Sequence, residues 1–139
     1  MAKPAVPNQP SPRAVLCARL AADKHAAHVL ILALQELEGA PAEYFVIASV
    51  ESDSQMKAVI DSITRTMKET GNGSARKDAV GDSSWAVLDF FDVVVHVMDT
   101  ELREFYNLER LWGDARAYGI NGDGEAHELS AVPRRSAQS

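Results

Sequence analysis

The sequence predicts an α/β domain in which a mixed sheet carries helices on its faces. Two kinds of segment point to it. His28 to Leu34, Glu43 to Val50 and Asp92 to Met98 are short apolar runs without polar alternation, the pattern of strands covered on both faces. Met56, Val59, Ile60, Ile63 and Met67 instead recur at helical spacing behind Ser52-x-x-Gln55, a pattern in which each capping side chain bonds a backbone N–H of the first turn. Strand and helix signals interleaved in one chain of 139 residues require helices packed on a sheet.

Taken in order, residues 1 to 10 are Pro-rich and aperiodic, and read as a disordered tail. Ser11-Pro12 starts a helix, because a hydroxyl cap precedes a Pro whose missing N–H costs nothing at the first helical position. That helix is expected to run to about Ala26 and to bury Val15, Leu16 and Leu20. Two strands follow, separated by the turn signal Gly39 to Pro41. The Met56 to Met67 helix stops at Gly71 to Gly73, where Gly relieves a left-handed C-terminal cap. A weak strand from Ala75 to Val80 turns through Gly81-Asp82-Ser83 into a hairpin, Trp85 to Phe90 and Asp92 to Met98. A last helix, Thr100 to Trp112, is expected to bury Leu102, Phe105, Leu108, Leu111 and Trp112. Residues 113 to 139 lack an apolar face and read as a second disordered tail, which leaves residues 11 to 112 as the domain.

Composition narrows the function. A net charge of -6 opposes general nucleic-acid binding, because neutralising phosphates takes clustered Lys and Arg, and it favours a basic protein partner. The single Cys17 rules out an intrachain disulfide and a Cys-based zinc site, and its Ala and Leu neighbours mark a buried, inert thiol. The N-terminus has no apolar signal core, and its acid-free first 22 residues resemble an organelle transit peptide only faintly. The longest aliphatic run, Val29 to Leu34, is far short of a membrane span.

Catalytic constellations are sparse. Glu51-Ser52-Asp53 is the nearest to a metal-binding acidic cluster, but acids beside a capping Ser are what a helix dipole favours. His96, with Asp89, Asp92 and Asp99 nearby in sequence, has the ingredients of a ligand or general base, yet it lies within a strand of valines where a hydrogen bond inside the sheet explains it. Gly71-Asn72-Gly73-Ser74 follows a helix and lacks the Lys continuation of a phosphate loop. Among the aromatic residues, Trp112 reads as core. Trp85 opens a strand nearer the surface, where alternation puts Trp85, Val87 and Asp89 on one face as an anchor beside a carboxylate.

The segment Trp85 to Trp112, WAVLDFFDVVVHVMDTELREFYNLERLW, resembles the signature of the ribosomal silencing factor, or Iojap, family: W…(V/L)D…D(V/I)VVH(V/I), then R-x-(F/Y)-Y-x-L-E-x-L-W. Tyr44 to Ser49, with Ser52, Asp53, Gln55 and Lys57, is similar to its upstream element. The chain departs from the pattern at Val50 and Phe91, where Gly is usual, at Ser54, where a basic residue is usual, and at Ala33, where Asp is common.

The resemblance implies a mixed five-stranded sheet of nucleotidyltransferase-like topology and a non-enzymatic, cytoplasmic translation repressor without a cofactor. It implies binding to the large ribosomal subunit through its protein number fourteen, obstruction of small-subunit joining under nutrient limitation, and a homodimer in many members. For the contact surface we select Trp85 as aromatic anchor, Asp89 and Glu43 as negative charges, and Lys57 at the rim. Two other readings stand beside this one: a metal-dependent nucleotidyltransferase-like enzyme using Glu51, Asp53 and Asp89, and a general dimeric adaptor.

Overall fold

The computed structural model describes residues 9–80 and 84–133. Among these residues four helices and seven strands follow in the order α1 (Pro12–Asp23), β1 (Ala27–Ala33), β2 (Tyr44–Val50), α2 (Asp53–Glu69), β3 (Arg76–Val80), β4 (Trp85–Asp89), β5 (Val93–Asp99), α3 (Thr100–Tyr106), α4 (Leu108–Leu111), β6 (Arg116–Ile120) and β7 (Ala126–Leu129). All seven strands form one sheet in the order β3-β4-β5-β2-β1-β6-β7. Only β2 and β5 pair in parallel, Tyr44 to Val50 against Val93 to Asp99, and the other five ladders are antiparallel.

The caps form as their residue types require. Ser11 Oγ accepts from the Ala14 N–H at 3.3 Å, and Ser52 Oγ from the Gln55 N–H at 3.1 Å. Gln55 reaches back to the Glu51 N–H at 2.8 Å and donates to the Lys24 carbonyl at 3.2 Å, which ties the start of α2 to the end of α1. Both helices pack on one face of the sheet. There Cys17, Ala18 and Ala21 of α1 and Val59, Ile63 and Met67 of α2 meet Val46, Val95 and Val97. The small side chains of α1 face this core while Val15, Leu16 and Leu20 are half-buried at its margin, because close helix–sheet approach favours Ala and Cys at the contact. On the opposite face Leu30, Leu32, Phe45, Ile47 and Met98 gather under Leu108 and Trp112.

Three expectations change. The sheet has seven strands instead of five, because residues 113–139 hold β6 and β7 and so are not a featureless tail. Their burial is legible only in three dimensions: β6 completes the free edge of β1 and places Ala117 and Tyr118 in the two cores. The helix expected to run from Thr100 to Trp112 is broken at Asn107, whose backbone is left-handed at φ 46°. The N-terminal tail up to residue 8 and the turn at residues 81–83 lie outside the described residues.

Candidate functional site

The break at Asn107 decides which side chains face water. Asn tolerates the left-handed conformation better than other non-glycine residues, and its N–H caps the Arg103 carbonyl at 2.8 Å. The chain therefore re-enters α4 with a shifted phase. Phe105 and Leu111, expected in the core, are 78% and 72% exposed, and Tyr106 is half exposed. The buried position on α3 goes to Arg103. Its guanidinium pairs with Glu109 at 3.0 Å and donates to the His28 carbonyl at 2.7 Å and to Ser49 Oγ at 2.9 Å, with Arg103 and Glu109 both 1% exposed. One side chain thus fastens the α3–α4 elbow to β1 and β2.

From that elbow a series of rings runs into the sheet. Phe105 meets Tyr106 at a centroid distance of 5.1 Å, Tyr106 meets Trp85 at 5.3 Å, Trp85 meets His96 at 5.9 Å, His96 meets Phe45 at 4.6 Å and Phe45 meets Trp112 at 5.9 Å. Such spacings are those of attractive aromatic pairs. The outer end is exposed, and the inner end holds buried His96 and Phe45 with half-buried Trp112 against them. Glu101 and Glu104, both exposed on α3, lie next to Phe105 in the helix.

His96 belongs to this series. The Trp85 indole N–H donates to His96 Nδ1 at 3.1 Å, so the imidazole is neutral with its proton on Nε2. Burial depresses its pKa from 6.5 to about 4. The acids near it in sequence are committed elsewhere: Asp89 accepts from the Phe91 N–H at 2.8 Å, Asp92 pairs with Arg13 at 3.0 Å, and Asp99 caps α3 by accepting from the Glu101 N–H at 2.9 Å. Cys17 is buried as expected, and burial pushes its thiol up to about 12.

The selected contact residues do not form one site. Trp85 is half-buried and shares its face with Val87 and Asp89, as alternation predicts, but Trp85 pairs with Met98 and Asp89 with Val94 at the other end of the strand. Four residues of strand separate them, about 13 Å. Glu43, just before β2, lies at the Asp89 end, since its N–H and that of Tyr44 both donate to the Asp92 carbonyl. Lys57 is exposed on α2, across the sheet from Trp85. The acids of the enzyme reading are likewise apart. Glu51 and Asp53 follow the C-terminal end of β2, whereas Asp89 aligns through Val94 with Phe45 at its start, roughly 16 Å away along the strand. Among the described residues no group of three acids, His or Cys is placed to hold a metal ion.

Comparison with known proteins gives this arrangement a family. The family model described as "Ribosomal silencing factor during starvation" matches residues 7–139. The chain belongs to the ribosomal silencing factor family. A ribosomal silencing factor of Bacillus subtilis is 38% identical over 95 residues, covering 67% of this chain and 78% of that protein. The chloroplastic Iojap protein of Zea mays is 36% identical over 105 residues, covering 73% of this chain and 44% of that longer protein. Among solved structures, a Chromobacterium violaceum protein superposes with a TM-score of 0.66 at 27% identity, over 72% of this chain and 82% of that one. A Bacillus halodurans protein superposes with a TM-score of 0.60 at 30% identity, over 70% and 90%. The family match extends through β6 and β7, so the additional strands are part of the matched region.

The sequence reading missed Phe105, Tyr106 and Leu111 as surface residues. Asn107 was the available signal, four residues after Arg103 and two before Glu109.

Proposed function

We propose that the chain silences translation by docking the Trp85–Tyr106–Phe105 face on the large ribosomal subunit, at its protein number fourteen, and so keeping the small subunit away. The observation that carries this reading is the aromatic series that begins in the core and ends in exposed Phe105 and Tyr106, with exposed Leu111 on the adjoining helix. Interface centres are enriched in such rigid aromatic anchors. Glu101 and Glu104 add negative charge, and the chain's net charge of -6 steers it toward a basic ribosomal protein.

The mechanism is exclusion and needs no chemistry. A domain of about 100 ordered residues has a radius of gyration near 13 Å, enough to hold two subunit faces apart. It requires a position at the subunit interface, and we place it on cytoplasmic ribosomes. No described helix is long and apolar enough to cross a membrane.

Sedimentation of a lysate through a sucrose gradient tests the proposal. The protein should travel with free large subunits and be depleted from joined ribosomes and polysomes. Equal abundance in polysomes would overturn the exclusion mechanism. Magnesium-dependent nucleotide binding by calorimetry would favour the enzyme reading instead, and capture of non-ribosomal partners alone the adaptor.

A further inference from the structure

Away from the aromatic face, at the far end of β4, the turn into β5 holds Phe91. Its side chain is 89% exposed, and its backbone is left-handed at φ 80°. Both features are unfavourable for a Phe: the conformation is one that a bulky residue rarely adopts, and the ring gains almost no burial within the chain. The turn is nevertheless pinned, by Asp89 Oδ1 on the Phe91 N–H and by the Asp92 N–H on the Phe90 carbonyl at 3.1 Å. Gly is the residue suited to this backbone. A strained, exposed aromatic residue held in place is a reason to look for what it contacts outside the chain.

Beside Phe91 lies a groove of about 600 Å³ whose other wall is the β1–β2 connection, with Leu34, Leu37, Pro41 and Ala42 on its apolar side. Its charges are of one sign. Glu43 and Asp92 line it, and Glu36 and Glu38 of the same connection are exposed. Among the described residues no Lys or Arg lines it. The nearby cation, Arg13, is turned to Asp92 and to the carbonyls of Asn72 and Phe90. Asp92 is thereby paired, but a phosphate backbone would still meet the carboxylates of Glu43, Glu36 and Glu38 here, whereas a Lys- or Arg-flanked apolar side chain would meet an apolar floor and acids at its rim.

We infer that this groove is a second docking site, which takes a basic protein segment and seats one of its aliphatic side chains against Phe91. Of the charges selected with Trp85, Glu43 lines this groove and Asp89 holds the Phe91 N–H, so both belong to the other end of β4 from Trp85. This inference is independent of the Trp85 reading, since the two surfaces share no residue.

The test uses the full chain, labelled for nuclear magnetic resonance, and a synthetic probe peptide of sequence Arg-Lys-Leu-Leu-Lys-Arg with blocked ends. Saturable shifts should appear at Leu37, Ala40, Ala42 and Phe91 and weaken as salt is raised. Phe91→Gly should bind about thirtyfold more weakly, as expected on losing an aromatic anchor. Its melting temperature should equal or exceed that of the parent, because glycine relieves the backbone. Phe91→Asn, which also tolerates this conformation, supplies a second folded control. Four outcomes would overturn the inference: undiminished binding by both variants, shifts confined to the Trp85 face, equal binding at the groove of a Glu-flanked peptide or an oligouridylate, or a wild-type dimer that Phe91→Gly abolishes. The last would make the occupant a second copy of the chain.

Discussion

Replacing Arg103 with Met tests whether one buried cation holds the α3–α4 elbow. The side chain length is roughly kept, but the charge and every donor are lost. Glu109, 1% exposed, then keeps its carboxylate inside the protein without the guanidinium 3.0 Å away, and the His28 carbonyl and Ser49 Oγ lose bonds of 2.7 and 2.9 Å. Breaking a buried pair by removing one member costs about 3–5 kcal/mol. Typical domains have only about 5–15 kcal/mol in total. With a urea dependence of about 1–3 kcal/mol per molar, the unfolding midpoint should fall by roughly 2 M. Arg103→Met/Glu109→Leu should recover most of that loss, because an apolar pair in place of a buried ion pair is often close to neutral. Urea titrations followed by circular dichroism give all three values. A single variant within about 1 kcal/mol of the parent would refute the reasoning, as would a double variant no more stable than the single one.

Trp85→Ala should weaken binding to isolated large-subunit protein number fourteen by roughly thirtyfold while the fold persists, measured by calorimetry. Loss of cooperative unfolding in that variant would place Trp85 in the core instead. His96 predicts a pH dependence. Its folded pKa of about 4 lies below the ordinary 6.5, so the unfolded chain binds the extra proton between those values, and stability is full above about pH 6.5 and declines as pH falls toward 4. The effect amounts to about 3 kcal/mol, and His96→Gln should flatten this part of the profile in thermal melts at pH 7, 5.5 and 4.5. Truncation after Trp112 should be strongly destabilising, because it removes β6, exposes the β1 edge and deletes Tyr118, which is 1% exposed. A truncated chain that melts like the parent would remove β6 from the fold's support.

Most of the sheet was legible because β2, nearly all of β5 and Leu30 to Leu32 of β1 are buried on both faces, and that condition writes itself as uninterrupted apolar sequence. The start of α2 was legible because its cap is a local hydrogen-bond pattern. β6 and β7 were not. Arg116 to Ile120 and Ala126 to Leu129 interrupt their short apolar content with Arg, Gly, His and Glu, and β6 owes its place to pairing with β1 some 85 residues earlier, which no local window contains, while β7 adds to β6. The aromatic face was half legible. Trp85 and the residues sharing its strand face follow from alternation, but apolar spacing carries one helical stripe through Asn107 and so puts Phe105 and Leu111 on the wrong side. A buried Arg is also invisible to apolar periodicity, since Arg103 reads as a surface residue until its partners are assembled.

The position of β6 has a consequence for how the chain is made. Ile31 of β1 pairs with Tyr118, so about 87 residues must be added after one partner is synthesised before the other exists. At roughly 5–20 residues per second that is a wait of about 4–17 s. Through that interval the edge of β1 that β6 will occupy presents unpaired backbone along Ile31 to Ala33, a stretch able to recruit another strand. Completion of the sheet is therefore a late event in synthesis. Slow decoding between Asn107 and Arg116 would prolong the aggregation-prone stage, whereas the same delay after Leu129 would be harmless.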